Sequence, residues 1–180
     1  MWGSFLQKFN GKALLRFSPE RCPASVSVSV ATDASLKGFG GHWGTRYIMG
    51  EFPKEWVSLD IEALEMYAVL ATVGSYSEDF KDRVVLLHCD NEALVHCLNK
   101  LTSKNRRVML FMRPYVLLLL SKNIMVRAVH IRSEDNVISD SLSRLQVAKT
   151  RELLPGLALR PTRVPDHLQT KNWVIGSQPL

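Results

Sequence analysis

Cysteine is scarce: Cys22, Cys89 and Cys97 are the three in 180 residues, and no two are in C-x-x-C spacing. That excludes a disulfide framework and points to a reducing intracellular setting, the cytoplasm and/or the nucleus. The neighbours His88-Cys89 and His96-Cys97 bring zinc to mind. However, Cys89 closes an apolar strand-like run and Cys97 lies in a helical stretch, so no zinc site is expected there. Long apolar runs are also missing. Tyr115–Leu120 is far too short to span a bilayer, no secretory leader is visible, and no membrane partner is expected. No internal repeat stands out. The most telling scarcity is of acid. Between Ala93 and Ser133 there is no Asp or Glu, yet Lys100, Lys104, Arg106, Arg107, Arg113, Lys122, Arg127 and Arg132 fall there.

What is present suits one domain with a full core. Apolar residues make up 46% and charged residues 22%, ordinary values for a globular chain. The net charge of +6 favours a polyanionic partner. A basic stretch is often no more than a solvated face. Its reading as a phosphate-binding surface depends on what stands near it.

What stands near it is a set of four carboxylates in distinct settings: Asp33 in V-A-T-D-A-S, Glu65 in A-L-E-M-Y-A-V, Asp90 in L-H-C-D-N-E-A and Asp140 in N-V-I-S-D-S-L-S-R. Ser25–Asp33 alternates apolar and small polar residues, which predicts a strand with Asp33 at its exit. Glycines from Gly38 to Gly50 then punctuate two short strands around His42–Trp43 and Tyr47–Ile48, an antiparallel meander. Ser58 or Asp60 caps a predicted helix to about Ser75, with an inward stripe of Ile61, Leu64, Ala68 and Ala71. Glu65 shares that side and Glu62 points to the flank.

Arg83–Cys89 reads as an apolar strand delivering Asp90 at its C-terminal end, where ligands gather in α/β sheets. Asp90 also stands where a helix N-cap would, ahead of a helix from Asn91 to about Asn99. A helix over about Arg107–Ser121, interrupted or kinked at Pro114, and a strand Met125–Ile131 follow. The last predicted helix runs from Asn136 to about Lys149. Beyond Thr150, Pro155, Pro161, Pro165 and Pro179 argue for an extended, partly disordered tail. Four like charges in one pocket repel and raise one another's pKa values. Divalent cations make such a cluster tolerable, and two of them held by carboxylates are a device for phosphodiester cleavage.

The order of elements, with acids at the first strand, first helix, fourth strand and last helix, resembles the ribonuclease H fold. His130 and Asn136 precede Asp140 at the spacing seen in type 1 ribonucleases H. The patterns T-D-A-S-x-x-G-F-G-G, A-L-E-M-Y-A-V, C-D-N-E-A-L-V and R-A-V-H-I-x-x-x-x-N-V-x-x-D-x-L-S-R resemble the ribonuclease H region of retrotransposon polyproteins, the tyrosine-recombinase-encoding DIRS type above all. Trp2 with F-L-Q-K-F-N-G is similar to the segment joining reverse transcriptase to that region in such elements. Two positions depart from the pattern: Ser139 stands where alanine is usual, and Arg132-Ser133 where Pro-Gly is common.

The resemblance implies an α/β, ribonuclease H-like domain over residues 24–149. Its sheet would be mixed and five-stranded, with three antiparallel strands, then two parallel ones, and flanking helices. Residues 1–23 would be the connecting segment and 150–180 the tail. It also implies an endonuclease that hydrolyses the RNA strand of RNA–DNA hybrids. Asp33, Glu65, Asp90 and Asp140 would hold two Mg2+ ions, with Mn2+ as a plausible substitute, about 4 Å apart. Asp33 would bridge them, Glu65 would serve the ion near the leaving group, and His130 would shuttle protons or help product leave. Lys104, Arg106 and Arg107 are the candidate backbone contacts. Asn91 and Asn136 are further nucleic-acid contacts, and the hybrid is read by shape and 2′-hydroxyls. The reverse transcriptase portion of the same polyprotein is an expected partner. No polymerase aspartate pair precedes the domain, so this chain alone is not expected to synthesise DNA. Two rivals remain: an inactive or host-adopted module of the same fold that binds nucleic acid or protein, and a nuclease of this superfold acting on DNA.

Overall fold

The structure is a computed structural model that describes residues 27–173 and 175; the expected connecting segment, 1–23, lies outside the described residues. Strands β1 (Ser27–Ala34), β2 (Gly38–Trp43), β3 (Arg46–Glu51), β4 (Val84–Cys89) and β5 (Met125–His130) form one sheet in the order β3-β2-β1-β4-β5. β1 to β3 pair antiparallel, β4 pairs parallel to β1, and β5 pairs parallel to β4. This is the mixed sheet that the resemblance implies. The helices are α1 (Ile61–Ser75), α2 (Glu92–Lys100), α3 (Arg106–Lys122), α4 (Val137–Ser143) and α5 (Val147–Leu153).

Two adjacent glycines on β2 decide how closely helices approach the sheet. Gly41 pairs with Thr32 and Gly40 with Asp33, so the two positions face opposite sides. A Cβ at Gly41 would lie 2.1 Å from Thr72 Oγ1 of α1. One at Gly40 would lie 2.4 Å from Leu142 Cβ and 2.6 Å from Ser143 N of α4. The helix with the larger core, α1, therefore covers the Thr32 face, and the short α4 covers the Asp33 face. At the β5 edge, the Asn99 side chain donates to Ala128 O and accepts from Ala128 N, both at 2.9 Å, and so satisfies the outward-facing backbone of that residue.

Three expectations need correction, and an open choice between two caps is decided. Ile61, placed on the inward stripe, is exposed, because α1 is buried on nearly all sides only from Ala63 to Gly74. Asp60, one of the two candidate caps, caps α1 by accepting from Ala63 N at 2.9 Å. At α2 the cap is Asn91, whose Oδ1 accepts from Leu94 N at 3.1 Å, and Asp90 is left free for another role. The last helix does not run on to Lys149. It stops at Ser143, Leu145 turns left-handed with φ 63°, and α5 starts afresh at Val147. Two hydrogen bonds stabilise that break, Leu145 N to Leu142 O and Gln146 N to Ser141 O.

The chain beyond Thr150 forms α5 to Leu153 and then short 3-10 turns, as its prolines require. It is nonetheless attached along its described length. Ala158 N and Thr162 N donate to Thr45 O and Tyr47 O beside β3, at 2.9 and 2.7 Å. Leu157 packs with Tyr47 and Leu142, and Leu168 is buried, its carbonyl accepting from Tyr67 Oη at 2.9 Å. Trp173 closes against Phe111 at 5.0 Å between ring centroids. Among the described residues no helix is long and apolar enough to cross a membrane.

Candidate active site

The four acids reach one end of the sheet from four elements. Asp33 is the penultimate residue of β1 and Asp90 directly follows β4. The parallel register runs to Ala31 opposite His88, and continuing it by two residues sets Asp33 beside Asp90. Glu65 comes from the second turn of α1, and Asp140 from the first turn of α4.

Their electrostatics show that they sense one another. Asp33 is raised to about 6, chiefly by burial, with Asp90 and Asp140 adding to the rise and the Ser143 hydrogen bond opposing it. Glu65 is raised to about 8, again chiefly by burial; Asn91 opposes the shift, while Asp90, Asp33 and Glu62 reinforce it. Glu65 is 8% exposed, and its Oε2 is buried with no hydrogen-bond partner. A carboxyl in that state stays protonated near neutral pH unless a cation or donor arrives.

The other helical acid candidate, Glu62, is already occupied. Its Oε2 accepts from Asn105 Nδ2 at 3.3 Å, and its Oε1 faces the Cys97 thiol at 3.8 Å. Asn105 was not singled out from sequence. It joins the start of α3 to α1 by also donating to Asp60 Oδ2 at 3.2 Å.

Two residues beside Asp140 complete the cluster. The Arg144 guanidinium donates to Asp140 Oδ1 at 2.7 Å. The Ser143 hydroxyl lies 2.5 Å from Asp33 Oδ2 and 2.9 Å from Asp140 O. Both belong to the D-x-L-S-R pattern, and their i+3 and i+4 spacing from Asp140 was the signal available in sequence. That Ser143 would turn back to β1 was not.

The remaining candidates are spread more widely. His130 ends β5, is exposed, and its Nε2 donates to Asp90 O at 3.2 Å, so it adjoins the acids. Asn91 combines capping α2 with contact to Glu65. Asn136 was read as a nucleic-acid contact. It is 2% exposed and donates from Nδ2 to Thr32 O at 3.0 Å, which makes it a tie between the loop before α4 and β1. Lys104, Arg106 and Arg107 are exposed where α2 gives way to α3, and Arg107 pairs loosely with Asp60 at 3.8 Å. Such an exposed pair contributes little to stability.

The donor set fits a hard divalent cation: carboxylate oxygens, one of them orphaned and buried, and neither sulfur nor imidazole among the four. Among the described residues no three His, Cys, Asp or Glu side chains converge tightly enough to enclose an ion. Asp33 and Asp140 each engage one oxygen with an internal donor, Ser143 and Arg144 respectively.

The strand order and the mixed pairing of the sheet match a ribonuclease H-like fold. Solved structures with the same architecture include a ribonuclease H1 from the halophilic archaeon Halobacterium salinarum, with a TM-score of 0.57 at 12% identity over 68% of this chain and 98% of that one. They also include LC11-RNase H1, from a compost metagenome, solved in complex with an RNA/DNA hybrid. Its TM-score is 0.50 at 18% identity over 68% of this chain and 97% of that one. No protein-family model and no curated protein matches the sequence.

Proposed function

We propose that the chain is a divalent-metal-dependent endonuclease that hydrolyses the RNA strand of RNA–DNA hybrids. The observation that carries this reading is Glu65. Its carboxyl is buried with one oxygen unpartnered, beside Asp33 and Asp90, at the strand ends where α/β sheets place their chemistry. Asp33, Glu65, Asp90 and Asp140 would hold Mg2+, or Mn2+ in its place. When bound, such ions polarise phosphate oxygens and make a bound water nucleophilic near neutral pH.

The chain's own residues supply the rest. His130, exposed beside Asp90, is free to hold or release a proton at Nδ1 while its Nε2 stays on the Asp90 carbonyl. Lys104, Arg106 and Arg107 offer an exposed cationic surface for the phosphate backbone. A relative by fold, LC11-RNase H1, is described with an RNA/DNA hybrid bound, which supports the substrate class. The sequence patterns alone support a finer reading, that the domain belongs to a retroelement replication protein of the DIRS type and works beside its reverse transcriptase. An intracellular site of action, cytoplasmic or nuclear, goes with it.

A second reading has one observation in its favour. Asp33 and Asp140 are both engaged by internal partners, as they would be in a module that keeps the fold for binding and not for catalysis. Mg2+-dependent cleavage of an RNA–DNA hybrid, measured against duplex DNA of the same sequence, separates the readings. Hybrid cleavage that EDTA abolishes sustains the nuclease. Hybrid binding with no cleavage in Mg2+ or Mn2+ sustains the binding module.

A further inference from the structure

The C-terminal end of α4 touches two of the four acids with consecutive side chains. Ser143 is fully buried, and its hydroxyl has one proton for two acceptors, Asp33 Oδ2 at 2.5 Å and Asp140 O at 2.9 Å. The carboxylate is the stronger acceptor, so that proton belongs on Asp33. Arg144 then holds Asp140 Oδ1 at 2.7 Å. Ser143 is itself held in place, because its carbonyl accepts from Ser35 Oγ at 2.9 Å and its N–H is packed over Gly40. Asp33 thus has one oxygen committed to α4 and the other open. The contrast lies on the same helix, where Ser139 is equally buried but its hydroxyl has no partner.

We propose that Ser143 is the positioning residue of the cation site, orienting the Asp33 carboxylate so that one oxygen stays on α4 and the other faces the ion. This rests on the reading of Asp33, Glu65, Asp90 and Asp140 as a cation site. The same hydroxyl couples the element carrying Asp33 to the element carrying Asp140. β1 and α4 therefore keep a fixed spacing at the site. A hydroxyl that orients a ligand in this way typically changes metal affinity by about 10- to 100-fold when removed.

The test is calorimetric titration of the whole chain with Mg2+ alone, without nucleic acid, on wild type, Ser143→Ala, Ser143→Thr and Ser139→Ala. The expected result is an affinity about 10- to 100-fold weaker for Ser143→Ala, recovered wholly or in part when threonine returns the hydroxyl, and unchanged for Ser139→Ala. Melting temperatures measured without Mg2+ confirm that each variant is folded. If Ser143→Thr does not fold, the contrast between the two alanine variants decides alone. Equal affinity for Ser143→Ala and wild type overturns the positioning role and leaves the cation site standing. An equal loss in Ser139→Ala also overturns it, because the effect then comes from packing of α4. A wild-type chain that binds no Mg2+ removes the cation site itself, and the positioning role with it.

Discussion

The two helices that grip the sheet from opposite faces do so by different means. α1 is buried from Ala63 to Gly74 almost wholly by apolar side chains, and the one acid among them, Glu65, is set by packing. α4 is two turns long and buries Ser139, Ser141 and Ser143 along with Leu142. Its place is set by hydrogen bonds, from Asn136 to β1, from Ser35 to Ser143 and from Ser143 to Asp33. Apolar burial is strong but undirected, whereas hydrogen bonds are weaker and specify geometry. The difference teaches where each acid gets its character. Burial raises both acids, Glu65 to about 8 against an opposing hydrogen bond from Asn91 and Asp33 to about 6 against one from the Ser143 hydroxyl.

The largest effects should appear when an acid is removed from either side. Glu65→Gln on the α1 side and Asp33→Asn, facing α4, are each expected to lose nearly all Mg2+-dependent hybrid cleavage, with the far-ultraviolet circular dichroism unchanged. Glu62→Gln, one turn away but bonded to Asn105, should keep most of it. An inactive Glu62→Gln beside an active Glu65→Gln would break the comparison, because the ligand would then lie on the other flank of α1.

Next come the two glycines. Gly40→Ala and Gly41→Ala should each destabilise by about 1–3 kcal/mol through overpacking, measured by urea denaturation. They differ in how they can be relieved. The Cβ of Gly41→Ala meets the tip of the Thr72 side chain, so Thr72→Ala should recover part of the loss. That of Gly40→Ala meets Leu142 Cβ and the Ser143 backbone, which no truncation of Leu142 to alanine removes. Equal rescue on both faces would show that α4 can slide as freely as a side chain can turn.

Acidity gives a smaller and more selective effect. Both carboxyls are raised above their ordinary values of 3.8 and 4.5, so between those values and the raised ones the folded chain holds more protons than the unfolded one. The contribution of these two carboxyls to the stability of the metal-free protein is therefore fullest below about pH 4 and is lost as pH rises, first through about 6 for Asp33 and then through about 8 for Glu65. Melting temperatures across this range should show the decline, and Mg2+ should reverse it by binding the ionised forms. Glu65→Gln should remove the upper step and leave the lower. A metal-free melting temperature that rises from pH 5 to 8 would contradict the burial of both groups.

The smallest effect concerns the surface away from both helices' inner faces. Changing Arg106 and Arg107 together to Ala should flatten the salt dependence of hybrid binding by about two units of slope if both touch phosphates. An unchanged slope would return the stretch to a solvated face.

Much of this was legible in the chain. Period-two alternation marked β1, the helical stripe set Glu65 inward and Glu62 outward, and the turn glycines marked the meander, because these depend on neighbours a few residues apart. Where the sequence misled, the pattern fitted more than one outcome. Ile61 fits the stripe but precedes the point at which α1 enters the core. Asp90 fits an N-cap, yet Asn91 takes the role one residue later. The prolines after Thr150 correctly forbid long helices, but they do not reveal that the chain there would be tied to β3 and α1.

By itself, then, the sequence determined the order of elements, the strand-end and helix positions from which the four acids are drawn, and the basic stretch, all of them properties of local pattern and charge. Only the tertiary structure decided which oxygen of which acid is free. Burial at the sheet end raises Glu65 and Asp33, and that burial is the joint work of α1, α4 and two glycines on a strand between them. A hydroxyl 110 residues along the chain from Asp33 comes within 2.5 Å of it only once the sheet and α4 are packed. Desolvation and hydrogen-bond geometry are properties of what surrounds a group in space, and that is why no spacing along the chain could have carried them.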